Sequence, residues 1–238
     1  MRGDNLFRRA KYSLLESLHA SPHITGPIYR LCYGRLGPYL AHARSIPGWL
    51  TRNEGLLLGQ LALAAPSDAV MVEIGSFLGR SAVVIAGALK ERGNGILHCV
   101  DPFDASGDSF SAPIYKAISE EHGLPLREEF ERNMARAGVE QWIRIRQGTA
   151  VAASEGWHMP IDLLFMDGDQ SPEGVRSAHD RWGPFVKVGG VIGLHNSSER
   201  AYAAGHDGHR LLAHELAASP AYINFVSVDS TTSWRRLH

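Results

Sequence analysis

The sequence predicts a doubly wound α/β domain: a mainly parallel sheet that ends in an antiparallel hairpin and is preceded by an N-terminal helical extension. Three observations carry this. From residue 69 onward short apolar runs alternate with helical stretches, the pattern of strands buried on both faces by crossover helices. A turn bracketed by two glycines, Gly75 and Gly79, joins the first apolar run to the first of these helices. The final stretch breaks the rhythm, with two strand-like segments in direct succession.

In order, residues 70–74, 96–100, 143–146, 161–166 and 188–194 are the expected parallel strands, with helices at about 79–91, 126–137, 149–156, 172–185 and 208–218. The closing hairpin is residues 222–228, a turn at Asp229 and Ser230, and residues 231–237. Ahead of the sheet, residues 1–50 form the extension and residues 51–238 the main domain. The extension holds two short helix-like stretches, broken at Pro22, Gly26, Pro27, Gly37, Pro38, Pro47 and Gly48. Thr51 followed by Glu54 has capping-box spacing, so a helix begins near residue 52 and stops before Pro66. The cap is the preferred reading of Glu54, ahead of a ligand contact.

Composition narrows the function. The 238 residues suit one α/β core, and 24 basic against 25 acidic residues leave no basic stripe for a phosphate backbone. Nucleic acid is therefore not an expected partner. Cys32 and Cys99, the two cysteines, have neither metal nor disulfide spacing. No apolar run is long enough to span a bilayer, and Arg2, Arg8, Arg9 and Lys11 are followed by no signal-peptide pattern. A cytoplasmic protein without membrane partners is expected, with homo-oligomers formed through the N-terminal segment.

The first strand runs into Glu73-Ile74-Gly75-Ser76-Phe77-Leu78-Gly79-Arg80-Ser81. Glycine lets backbone approach a ligand closely, and the spacing Gly75-x-x-x-Gly79 departs from the Gly-x-Gly-x-x-Gly of dinucleotide sites. Glu73 is an acid in an apolar run, costly unless it accepts hydrogen bonds. Asp101, closing the second strand, is placed to accept bonds from both hydroxyls of a ribose. Phe103 suits an adenine face or the core equally, and Thr149, after the third strand, is a candidate for the adenine edge. The fourth strand leads into Asp167-Gly168-Asp169-Gln170-Ser171-Pro172-Glu173-Gly174-Val175, and the fifth into His195-Asn196. Ligands lie beyond the carboxyl ends of strands in such sheets, so Asp167 and His195 should face one crevice, as candidates for proton transfer or metal binding.

On these blocks the chain resembles the class I S-adenosylmethionine-dependent methyltransferases, within the small-molecule group of macrolide-sugar O-methyltransferases and cephalosporin hydroxylase-like proteins. The fold implied is Rossmann-like. The resemblance implies S-adenosylmethionine bound by Glu73, Gly75, Ser76, Ser81 and Asp101, and methylation of a small-molecule hydroxyl; Gly79, Phe103, Thr149 and Asp167 complete the candidate cofactor set, with Glu73 near the methionine part. In several members a divalent metal beside the cofactor holds the acceptor, with a histidine as base. Here Gln170 replaces the usual histidine and Asn196 the usual acid. Asp167 with Asn196 would be a poor hard-cation site, and glutamine accepts no proton, so these departures count against a metal. The candidate catalytic set is Asp167, Asp169, Gln170 and His195, with His195 or Asp169 taking the proton. A cofactor-binding protein without turnover is the second reading; a nicotinamide oxidoreductase is disfavoured by the glycine spacing and the hairpin.

Two further expectations concern the surroundings. His206, His209 and His214 read as exposed histidines on an amphipathic helix rather than metal ligands. Residues 104–123, long for a connection and rich in serine, glycine and acids, read as a mobile cover over the acceptor pocket.

Overall fold

The computed structural model describes residues 22–238. Arg2, Arg8, Arg9 and Lys11 lie outside the described residues. The elements are α1 (Pro22–Tyr33), α2 (Gly37–Ser45), α3 (Arg52–Ala64), β1 (Val70–Ile74), α4 (Arg80–Arg92), β2 (Ile96–Asp101), α5 (Ala112–His122), α6 (Leu126–Ala137), β3 (Ile143–Gln147), α7 (Ala150–Ala153), β4 (Ile161–Met166), α8 (Pro172–Trp182), β5 (Val186–Leu194), α9 (Gly208–Ala218), β6 (Tyr222–Val228) and β7 (Thr231–Arg236). One sheet runs in the order β3-β2-β1-β4-β5-β7-β6. It is parallel from β3 to β5, whereas β7 is antiparallel to β5 and β6. The order reverses between β1 and β4.

Both faces of the sheet are covered, which is why its strands read as unbroken apolar runs. Met71, Leu163 and Phe165 point to the face packed by Tyr29, Leu40, Leu58, Leu89 and Phe130, so α1 to α4 and α6 share one core with it. Val72, Leu164 and Ile192 face Trp157, Val175, Trp182 and Leu212 on the other side. Thr51 and Glu54 form the complete capping box at the start of α3. Among the described residues no helix is long and apolar enough to cross a membrane.

Several boundaries differ from expectation. Gly26 and Pro27 lie inside α1 rather than breaking it. Burial of Tyr29, 2 % exposed, outweighs the hydrogen bond that the proline forgoes. The helix after β3 is shorter than expected, and α8 gives way to a 3₁₀ turn at Gly183–Phe185. β5 begins earlier, through an irregularity in which Ile161 pairs with Val186 but Leu163 pairs with Val191. Residues 104–123 contain the helix α5.

The α2–α4 contact rests on Gly87, where a Cβ would collide with the Tyr39 ring. Alanine in a helix interior normally stabilises by about 0.5–1 kcal/mol over glycine. Here Gly87→Ala is expected to destabilise by about 1–3 kcal/mol through overpacking, read by urea denaturation. A stabilised variant would mean that the two helices do not meet as described.

Candidate functional site

At the point where the strand order reverses, the loops after β1 and β4 leave a crevice of the kind in which open α/β sheets hold ligands. Gly75 makes it: its φ is 87°, and any side chain there would collide with the backbone of Asp167 and Gly168. Two adjoining cavities open from this point. One, about 460 Å³, runs along Asp101, Gly148, Thr149 and Asp169; the other, about 270 Å³, lies among Trp49, Ser81, Gln170, His195, Asn196 and His206. Gly75, Phe77, Tyr115 and Asp167 line both.

Asp101 sets the shape of the first cavity. Its Oδ2 accepts from the Phe77 amide (2.8 Å) and its Oδ1 from the Phe103 amide (2.7 Å). Phe77 and Phe103 both have positive φ, 45° and 56°, a conformation costly for a side chain that bulky. The carboxylate thus holds two strained turns, yet two accepted bonds leave half of its lone pairs unused. Burial pushes its pKa up and the backbone bonds oppose this. Glu73 is fully buried on β1; burial raises its pKa to about 7, against the pull of Ser76, whose hydroxyl donates to Oε2 at 2.6 Å. Its Oε1 is buried with no hydrogen-bond partner among the described residues.

The second cavity is built on a chain of buried charges. His195 Nδ1 lies 2.7 Å from Asp167 Oδ1, and His195 Nε2 lies 3.6 Å from Glu54 Oε2, an ion pair rather than a hydrogen bond. Burial alone would lower the histidine's pKa, but Asp167 and then Glu54 outweigh it and hold it at about 10. His195 is therefore an imidazolium with a carboxylate facing each nitrogen. Burial would likewise raise the Glu54 pKa, but His195, Ser230 and Thr51 hold it well below the usual range. Glu54 Oε1 also accepts from the Ser230 amide (2.9 Å), the Ser230 hydroxyl (2.5 Å) and the Thr231 hydroxyl (3.2 Å). The helix cap is thus one of two tasks for this side chain. Gln170 donates to Asp167 Oδ1 at 3.4 Å and its oxygen accepts from Asn196 Nδ2 at 3.2 Å, so one bond joins the two amides.

The remaining expected residues are dispersed. Ser76 and Gly79 line neither cavity: Ser76 is bound to Glu73, and a Cβ on Gly79 would strike Met134 and Phe130. Phe103 packs in the core against Phe130, with ring centroids 5.4 Å apart. Thr149 caps α7 while facing the first cavity. Asp169 is exposed at that cavity's rim and accepts the Ser171 amide.

The histidines require a correction. His206 and His209 are buried, 7 % and 1 % exposed, and only His214 is at the surface, against Glu199. His206 was misread because it precedes α9, and His209 because its face of α9 turns inward. Residues 104–111 are pinned by buried Asp108, which accepts from the Phe110 and Ser111 amides and pairs with His206. Trp49, Phe77 and Tyr115 form an aromatic cluster at the junction, with the rings of Phe77 and Tyr115 4.9 Å apart and those of Trp49 and Tyr115 5.6 Å apart. Sequence reasoning missed Trp49, Tyr115 and Asp108, which belong to no motif and meet only through the fold.

Residues 72–197 match a family described as a methyltransferase domain. Among solved structures the chain is similar to a putative O-methyltransferase from Klebsiella pneumoniae, with 19 % identity, 97 % of each chain covered and a TM-score of 0.57. It is similar to the O-methyltransferase TomG from Streptomyces achromogenes, involved in tomaymycin synthesis and solved with S-adenosylmethionine, with 19 % identity, 86 % of this chain and 90 % of that one covered, and a TM-score of 0.58. It is also similar to an O-methyltransferase from Bacillus cereus in complex with SAH, with 16 % identity, 96 % and 97 % coverage and a TM-score of 0.57. At these identities the likeness is one of fold.

Removing Glu54 strands the buried charge on His195 and the polar groups of the hairpin turn. Glu54→Ala is expected to cost about 3–5 kcal/mol in urea denaturation at neutral pH, beyond the roughly 0.5–2 kcal/mol of a lost cap. A loss confined to the cap range would show that the contact with His195 contributes nothing.

Proposed function

This chain belongs to the methyltransferase-domain family, and on that premise we propose that it transfers the methyl group of S-adenosylmethionine to a hydroxyl oxygen of a small molecule. The observation that carries the reading is the pair of adjoining cavities with Asp167 in the wall of both. The larger has the volume of a nucleoside-sized site. Cofactor complexes of TomG and of the Bacillus cereus protein support placing S-adenosylmethionine there. Asp101 would take the ribose with its unused lone pairs, and Thr149 and Gly148 would border the adenine; Glu73, fully buried and lining neither cavity, would act on the methionine part only by holding Ser76. When bound, the cofactor supplies an electrophilic methyl group on a sulfonium.

The smaller cavity holds the acceptor, and the chain's contribution is alignment and exclusion of water. Asp167, fixed by His195 and Gln170, sets one side of the junction; Phe77 and Tyr115 set the other. His195 does not serve as base in this proposal, because both its nitrogens face carboxylates. Asp169 does not either, since it lies at the rim of the larger cavity.

A divalent metal does not fit. Asp167 is the one carboxylate at the junction, its neighbour is an imidazolium, and the Gln170 oxygen is taken by Asn196, which leaves at most a neutral amide oxygen beside one carboxylate. A hard cation needs several oxygen ligands to offset its dehydration. The near-even balance of charge supports a small molecule rather than a nucleic acid or a membrane, and a cytoplasmic setting belongs to the same proposal. Leu31, 79 % exposed on α1, supports self-association through the N-terminal segment.

Two measurements test the proposal. Asp101→Ala should weaken S-adenosylhomocysteine binding by about ten- to a hundredfold in calorimetric titration; unchanged affinity would overturn the ribose assignment. Titrated with magnesium, the native protein should give no binding heat while the Gln170→His, Asn196→Asp double variant does. Magnesium binding by the native protein would reverse the argument from the donor set.

A further inference from the structure

The acceptor cavity contains a second histidine that the methyltransfer reading leaves unused. His206 comes from the loop before α9, is 7 % exposed and lines the cavity, with its ring 4.7 Å from that of Phe110. Its Nδ1 lies 3.1 Å from Oδ1 of Asp108. That aspartate is 5 % exposed and fixed on every side: Oδ1 accepts from the amides of Phe110 (3.0 Å) and Ser111 (3.1 Å), and Oδ2 from the amide of Gln170 (3.4 Å).

Resting on the methyltransfer reading above, we propose that His206 is the proton acceptor of the reaction and Asp108 the residue that positions it. A carboxylate bound to one imidazole nitrogen fixes the tautomer and turns the other nitrogen to the reacting group. With Nδ1 committed to Asp108, Nε2 is the atom available to the acceptor. The contrast with His195 decides between them: His195 has a carboxylate against each nitrogen, His206 against one. The other groups lining the cavity are less suited: Asp167 is paired with His195 at 2.7 Å, Arg80 and Tyr115 are not proton acceptors at neutral pH, and Gln170 and Asn196 are amides. His209, beside them, is held neutral, its pKa lowered to about 3 by burial.

In the step, the acceptor oxygen bonds to the methyl carbon as the carbon–sulfur bond breaks. The hydroxyl proton passes to Nε2 of His206, and the thioether departs neutral. The positive charge lost by the sulfonium reappears on the imidazole, where Asp108 balances it.

The assignment is testable without knowing the acceptor. Protein labelled with ¹⁵N-histidine and saturated with S-adenosylhomocysteine is examined by NMR at mildly alkaline pH. His206 is expected as the Nδ1–H tautomer, with His195 doubly protonated. In Asp108→Asn, His206 is expected to gain the Nε2–H tautomer. A His206 that is already Nε2–H in the native protein, or doubly protonated there, overturns the proposal. So does an Asp108→Asn variant with the native tautomer. Failure of S-adenosylhomocysteine to bind would instead strike the methyltransfer reading.

Discussion

The molecule is organised around one imidazolium buried between two carboxylates. Glu54 is fully buried and His195 is 2 % exposed, depths at which an unpaired charge would be prohibitive. Pairing them imposes geometry on distant pieces of chain. The first turn of α3, the ends of β4 and β5, and the turn between β6 and β7 must all arrive at the same point, because each supplies a partner to this short chain of charges. Its net effect is to peg the N-terminal helices, the parallel sheet and the closing hairpin together directly beneath the cavities.

Two aspartates extend the same logic outward. Asp101 holds the turns after β1 and β2 in conformations their phenylalanines would not choose, and Asp108 holds the segment between β2 and α5 against the loop after β4. Each spends buried carboxylate oxygens on backbone amides, so the walls of both cavities are fixed before any ligand arrives. Such preorganisation is what a reaction governed by alignment requires. It also explains why the positive-φ residues at Phe77 and Phe103 are tolerated: the surroundings over-determine them.

Most of the fold was legible because it follows from local rules. Strands covered on both faces give unbroken apolar runs, and Thr51 with Glu54 announces a helix start three residues apart in sequence. The hairpin showed itself as two strand-like runs with no helix between them. What escaped depends on distance along the chain. The second oxygen of Glu54 meets Ser230, 176 residues away, and nothing near either residue announces it. Gly26 and Pro27 misled because the packing of Tyr29 overrides their local preference. For the site, Gly75, Asp101 and Asp167 line the crevice, since glycine turns and strand-end acids carry their own signal, whereas Glu73, Ser76 and Gly79 line neither cavity. Asp108, Trp49 and Tyr115 carry none. The inward face of His209 was hidden because the polarity of histidine suggests water, whereas burial here keeps the ring neutral.

The placement of β7 has a consequence for how the protein is made. β7 follows every other strand in the chain yet lies between β5 and β6, with Ser233 fully buried and Thr232 tied to Ser197 beside the site. During vectorial synthesis the ribosome has therefore released both cavities' walls while β5 is still an unpaired sheet edge. Glu54 meanwhile waits for the hydrogen bonds of Ser230 and Thr231. Until the hairpin is in place, the edge of β5 lacks its antiparallel partner and the most deeply buried charges lack part of their hydrogen bonding.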